Sequence, residues 1–221
     1  KRDKDAYQQY LKIKELDPED KYINISLMDY YMSVGDIDNA FHEFILAIKN
    51  TNLDYETKVQ LHEFWAEQNE KSNDGLKISR AVDIGQAFIE TYPDKNIGYY
   101  IMGVAYINMD DYKQAQTYFQ QAIEKDNSNF VTLYQLSLCE IELHDYQSVI
   151  EITNKAISLY PEQPLFYLFQ GIGYFNVKDY ESCVKVLEKG RKLSANKELT
   201  ANFDTYIGDT YNQLNNKQKS Y

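Results

Sequence analysis

The chain has 221 residues, 43% of them hydrophobic and 26% charged, enough to bury a core in one domain or in two small ones. A formal net charge of −11 disfavours binding to nucleic-acid phosphates and to anionic membrane surfaces. Four prolines and nine glycines are few for the many turns of an all-β chain, and no stretch approaches the ~20 apolar residues of a membrane span.

Residues 1–20 begin without an initiator Met or a signal-peptide pattern, and Ala6 and Tyr10 followed by Asp17-Pro18 read as one helix. Residues 21–54 read as two helices joined at Gly35-Asp36. The first carries Leu27, Met28 and Tyr31, and the second carries Ala40, Phe44 and Ala47, whose spacing of four and three keeps them on one face. Asp36 and Asp111 are 75 residues apart, two periods of 34 plus seven. Residues 55–95 therefore read as a similar pair with a seven-residue insertion, placed in the polar run 67–75.

The period is plainest in 96–129, 130–163 and 164–197. Asp-Tyr recurs at 111–112, 145–146 and 179–180, with both gaps equal to 34. The same shift superposes Tyr99, Leu133 and Tyr167; Gly103, Ser137 and Gly171; Ala115, Val149 and Cys183; and Ala122, Ala156 and Gly190. Small residues let two helix backbones approach, and large ones fill the space between them. Glu140 stands where Tyr106 and Tyr174 stand, and Thr153 where Phe119 stands, so the middle repeat is expected to pack less well. Gly208 lies 37 residues after Gly171, which extends the last full repeat to 164–200 by a short insertion near 198–200. Residues 201–221 then read as a half repeat, with a first helix over 201–214 that ends before Asn215–Lys217. Beginning and ending mid-repeat, the sequence is expected to be a piece of a longer array.

A 34-residue helix-turn-helix carrying Tyr99, Gly103, Tyr106, Tyr112, Ala115, Phe119 and Ala122 resembles the tetratricopeptide repeat. The resemblance implies an all-α right-handed superhelix of about twelve helices, whose first helices line a concave face that binds peptides or partner proteins. Residues 164–181 and 207–221 also resemble the large multi-repeat members exported by some Gram-negative anaerobes, which implies a cell-envelope location.

The stretch Leu-Phe-Tyr-Leu-Phe-Gln-Gly-Ile-Gly-Tyr-Phe, 165–175, is apolar all round except for Gln170. Repeat packing accounts for two of its faces. The third face, Leu165, Leu168, Ile172 and Phe175, falls within an arc of about 80°. Its counterparts are Val131, Tyr134, Leu138 and Ile141, then Ile97, Tyr100, Val104 and Ile107. The resemblance places all twelve on the concave face, where such an apolar patch marks an interaction site. The corresponding positions in the flanking repeats hold Tyr22, Ile25, Asp29 and Met32, and Asn202, Thr205, Asp209 and Asn212. Some members of the family clamp a peptide carboxylate with cations on this face. The matching places here, Tyr100, Val104, Tyr134, Leu138, Leu168 and Ile172, supply none. The expected partner is an apolar or amphipathic protein segment. The alternatives are a self-assembling structural array whose stripe is filled by its own segments, an end-to-end dimer of the fragment, and an enzyme-associated domain.

No catalytic residue, metal or cofactor is expected. His42, His62 and His144 are scattered, and His-Glu-Phe at 42–44 and 62–64 lacks the second His of a zinc-protease helix. Residues 36–39 lack the glycine and distant Glu of a calcium loop. There is no glycine-rich phosphate loop and no nucleophile elbow. Cys139 and Cys183 read as small buried apolar residues.

Overall fold

The computed structural model describes residues 2–70 and 77–219, and every regular element among them is helical. Twelve helices follow in order: α1 (Arg2–Leu16), α2 (Ile23–Ser33), α3 (Ile37–Lys49), α4 (Tyr55–Glu70), α5 (Lys77–Thr91), α6 (Ile97–Ile107), α7 (Tyr112–Lys125), α8 (Phe130–Glu142), α9 (Tyr146–Leu159), α10 (Pro164–Asn176), α11 (Tyr180–Leu193) and α12 (Lys197–Lys219). The all-α class is as expected. The insertion expected at 67–75 begins inside α4, and its residues 71–75 lie outside the described residues. At the other end, α12 starts before residue 200 and runs straight through 215–217, where a turn was expected. That segment, Asn-Asn-Lys, holds neither Gly nor Pro to stop a helix.

The turns explain the Asp-Tyr repeat. After α2, α6, α8 and α10 the chain enters the left-handed region at Gly35 (φ 78°), Asp110 (58°), His144 (57°) and Lys178 (65°). The next residue is an aspartate each time. Its N–H donates back to the carbonyl five residues earlier, as from Asp111 to Tyr106 (3.0 Å) and from Asp179 to Tyr174 (3.0 Å). This is the Schellman closure of a helix C-terminus. The same aspartate caps the next helix, its carboxylate accepting from Asn39, Gln114, Ser148 or Ser182. One residue thus ends one helix and starts the next, and the following tyrosine in three of the four turns is the first residue of the new helix.

The chain forms two compact units, Lys1–Ala105 and Tyr106–Tyr221, the division falling within the sequence of α6. In the first, Met28, Phe44, Ile48, Trp65, Ile84, Phe88 and Ile101 form the core, with the Trp65 and Phe44 rings stacked at 5.0 Å. Buried charged groups there are hydrogen-bonded. Glu43 accepts from Lys14 (2.6 and 2.7 Å) and Asn24 (2.9 Å), and Lys58 donates to the Tyr92 hydroxyl (3.0 Å).

In the second unit, Leu133, Val149, Ala156, Phe166 and Phe169 cluster between α8, α9 and α10, and Tyr167, Leu168, Cys183, Val186, Leu187 and Phe203 between α10, α11 and α12. Small residues set the spacing. A Cβ on Gly171 would overlap the Leu187 side chain, and one on Gly190 would lie 2.7 Å from the Phe203 ring. Thr153 is buried, yet its hydroxyl donates to the Val149 carbonyl (2.6 Å), so the middle repeat leaves no orphan there. Tyrosines tie the connections down. Tyr167 donates to the Pro161 carbonyl (2.8 Å), and Tyr160 to that of Ser128. In the first unit Tyr99 donates likewise to Pro93 (3.1 Å).

Three expectations follow, all read from urea unfolding followed by circular dichroism. Gly171→Ala should destabilise by about 2 kcal/mol, because overpacking outweighs the gain in helix propensity, whereas Gly208→Ala should stabilise by about 1 kcal/mol, since nothing lies within 4 Å of its would-be Cβ. Lys178→Gly should stabilise by about 1 kcal/mol, because a left-handed conformation is costly for an ordinary side chain and open to glycine.

Candidate functional site

In the second unit α8, α10 and α12 lie side by side, α10 touching both neighbours. This brings together the predicted residues of α8 and α10. Val131 is 46% exposed, and Tyr134, Leu138, Ile141, Leu165, Ile172 and Phe175 are half-buried. Leu168 is buried among Tyr167, Leu187 and Phe203, so it presents no surface to a partner. Part of the stripe is covered by the next helix in line. Phe169 of α10 leans on Tyr134 (5.6 Å between ring centroids), and Tyr206 of α12 meets Phe175 edge-on (6.0 Å). Leu138, Ile141 and Ile172 pack against the core beneath. Ile107 is half-buried in the same unit. In the first unit Ile97, Tyr100 and Val104 are half-buried, and Ile97 and Tyr100 lean on its core. Neither α8 nor α10 carries a Lys or Arg; Glu140 and Glu142 are their charged residues.

Gln170, the one polar residue of the apolar stretch, is buried and donates its amide to Asn154 on α9 (2.7 Å). The second buried polar pair was not legible in the sequence. Glu140 is fully buried, and Gln116 on α7 donates its Nε2 to both carboxylate oxygens (2.9 and 2.8 Å). Glu140 was visible as an odd residue in a tyrosine position, but Gln116, 24 residues earlier, was not. Burial pushes the Glu140 carboxyl above its ordinary range, and the Gln116 hydrogen bond partly opposes that. Glu140 borders a groove of ≈ 250 Å³ between α7, α8 and α9 whose lining is mixed, Ile123, Leu133, Leu136 and Ile152 with Gln120, Ser148, Glu151 and Lys155. A second groove, between α11 and α12, is bridged by the Arg191–Asp204 ion pair.

Burial lowers the His62 imidazole to about 4, and His144 Nδ1 lies 3.0 Å from the Tyr146 hydroxyl in its turn. Cys139 and Cys183 are buried free thiols, and burial pushes Cys139 up to about 12. Among the described residues no three His, Cys, Asp or Glu side chains converge as a metal ion requires, and no helix is long and apolar enough to cross a membrane.

Residues 97–129, which hold α6 and α7, match the family model of the tetratricopeptide repeat. This helix pair is a tetratricopeptide repeat. Over 165 residues it is 24% identical to the TPR repeat-containing protein MJ1428 of Methanocaldococcus jannaschii, covering 75% of this chain and 25% of that protein. Over 97 residues it is 26% identical to N-alpha-acetyltransferase 16, NatA auxiliary subunit, of Mus musculus, covering 44% of this chain and 11% of that one. The chain thus spans a quarter or less of the length of these relatives. Its fold is shared with the crystal structure of MamA (TM-score 0.59, 22% identity, 78% of this chain and 91% of that one). It is shared also with YrrB, described as a TPR protein with an unusual peptide-binding site (TM-score 0.62, 14% identity, 89% and 97%).

The Glu140 burial has a measurable consequence. Its raised pKa means that the folded state holds the proton more tightly than the unfolded chain, so its contribution is full below the ordinary Glu range and fades as pH rises through the raised value. Glu140→Gln should therefore be more stable than the wild type at pH 7, with the difference shrinking as the pH falls towards 4. Urea midpoints of the two proteins across this range check it. The neutral His62 destabilises both equally on acidification and cancels in the difference.

Proposed function

We propose that this chain is a non-catalytic tetratricopeptide-repeat scaffold that holds a partner segment on the face formed by α8 and α10. The observation that carries the reading is the surface itself: exposed Val131 and half-buried Tyr134, Leu138, Leu165, Ile172 and Phe175 on two adjacent helices without a cation. Such a face offers apolar burial worth about 1.5–3 kcal/mol for each fully covered anchor. It rejects acidic segments, which would meet Glu142 and no compensating charge. The partner is an apolar or amphipathic segment laid across the helices. The peptide-binding site stated for the structural neighbour YrrB supports an interaction role on this fold.

The substitutions that test the reading must spare the core, and Val131 and Leu165 are outside both buried clusters. Peptides selected on the wild-type protein from a random display library should carry apolar residues at helical spacing. They should bind a Val131→Glu, Leu165→Glu variant roughly tenfold more weakly, a loss of about 1.4 kcal/mol. The variant's helical circular dichroism should be intact. Equal binding to both proteins would remove the face from the proposal.

A further inference from the structure

No described residue of α1 is buried. Its aliphatic residues Leu11, Ile13 and Leu16 are exposed by 37%, 42% and 86%, so they do little to hold this helix to the first unit. Two other features do. Lys14 donates to the buried Glu43 of α3, and Tyr7 lies against two consecutive tyrosines of α2. Tyr7 stacks on Tyr30, with ring centroids 4.4 Å apart and planes within 13°. It meets Tyr31 edge-on at 5.8 Å, and the two hydroxyls share a hydrogen bond of 3.0 Å. Tyr30 and Tyr31 touch edge-on in turn (5.6 Å), so the third ring braces the stacked pair.

Stacking decides what such a pair can do when it loses electrons. A phenol that gives up one electron and its hydroxyl proton becomes a phenoxyl radical, with spin on the ring carbons beside the oxygen. Two such radicals join through the lobes of their π systems, above and below the ring planes. Rings that face each other can form that bond, whereas an edge-on pair must first turn. Tyr55 and Tyr92 in the same unit are edge-on at 75°, and Tyr106 and Tyr118 in the other unit are parallel but wider apart at 5.4 Å. Competing sinks for the radical are absent or enclosed. Residues 1–105 contain no cysteine, and the one tryptophan, Trp65, is buried against Phe44. Tyr7 and Tyr30 are half-buried, within reach of an oxidant in solution.

We propose that Tyr7 and Tyr30 are a modification site, at which a one-electron oxidant of the peroxidase class joins the two rings as dityrosine and locks α1 onto α2. Each ring gives one electron to the oxidant and releases its hydroxyl proton. The two radicals form a carbon–carbon bond between positions next to their oxygens. The hydrogen on each joined carbon then moves as a proton to its own ring oxygen, restoring both aromatic rings and both hydroxyls. The two electrons and two protons released reduce one hydrogen peroxide to two waters. The fold supplies the proximity, which replaces an encounter between separate radicals by an intramolecular step. The link closes a loop between positions 7 and 30 and so narrows the unfolded ensemble, as a disulfide does. The helix that gains it is one that buries no described residue of its own.

The test treats the whole chain, dilute, with a haem peroxidase and limiting hydrogen peroxide, then maps the cross-linked peptides by tandem mass spectrometry. The Tyr7–Tyr30 link should outnumber the Tyr7–Tyr31 link about tenfold, because only the first pair is face to face. In urea, where only the chain connects the rings, that preference should vanish. Tyr30→Phe keeps the stacked ring and removes its phenoxyl, so the link to Tyr7 should disappear without a Tyr7–Tyr31 link taking its place. Backbone amide exchange across α1 should slow after oxidation of the wild type and stay unchanged in oxidised Tyr30→Phe. Comparable yields of the two links, a preference that persists in urea, links mainly between separate chains, or unaltered exchange in α1 of the cross-linked protein would each overturn the proposal.

Discussion

The close approach of paired helices through small residues is the constraint on which the rest depends. Where Gly171 meets Leu187 and Gly190 meets Tyr167 and Phe203, the partner's side chain packs directly on the glycine backbone, and every larger residue must fit the space this leaves. Phe166, Tyr167 and Phe203 are fully or almost fully buried as a result. Polar residues enter only when they are satisfied in place, as Thr153 is by its own helix and Gln170 by Asn154. Glu140 meets the rule through one neutral amide, which bonds both of its oxygens.

Much of this was legible in the sequence because the repeat states each requirement several times. The turn needs a left-handed residue followed by an aspartate that both closes and caps, and that aspartate recurs at 36, 111, 145 and 179. The left-handed residue itself is less visible, since Asp110, His144 and Lys178 stand where only Gly35 advertises the conformation. The extent of α12 was missed for a related reason. Gly208 continued the glycine pattern in sequence but packs against nothing, so its presence signalled neither a contact nor a boundary.

The candidate surface was legible as a stripe and not as an exposure. Which of its residues face outward depends on the neighbouring first helix: Phe169 shields Tyr134, Tyr206 shields Phe175, and Leu168 is taken wholly into the core. None of these relations has a fixed spacing within one helix. The same holds for Gln116 and Glu140, whose bond joins the second helix of one repeat to the first helix of the next. Periodicity reveals what all repeats share. The features that distinguish one repeat from another appear only when their neighbours are in place.

The bonds from side chains to the carbonyls of other connections run in one direction. Asn50 and Asn52 reach back to the carbonyls of Asp20 and Glu19, Tyr92 reaches back to Leu53, and Tyr160 reaches back to Ser128. In each case the later repeat holds the loop of the earlier one. A protease that opens a repeat near the C-terminal side of either unit therefore removes a clasp from the repeat before it. Opening one on the N-terminal side leaves the later clasps intact. Digestion of each unit should be polar, peeling back towards its N-terminal side, because in a linear array stability passes only between neighbours.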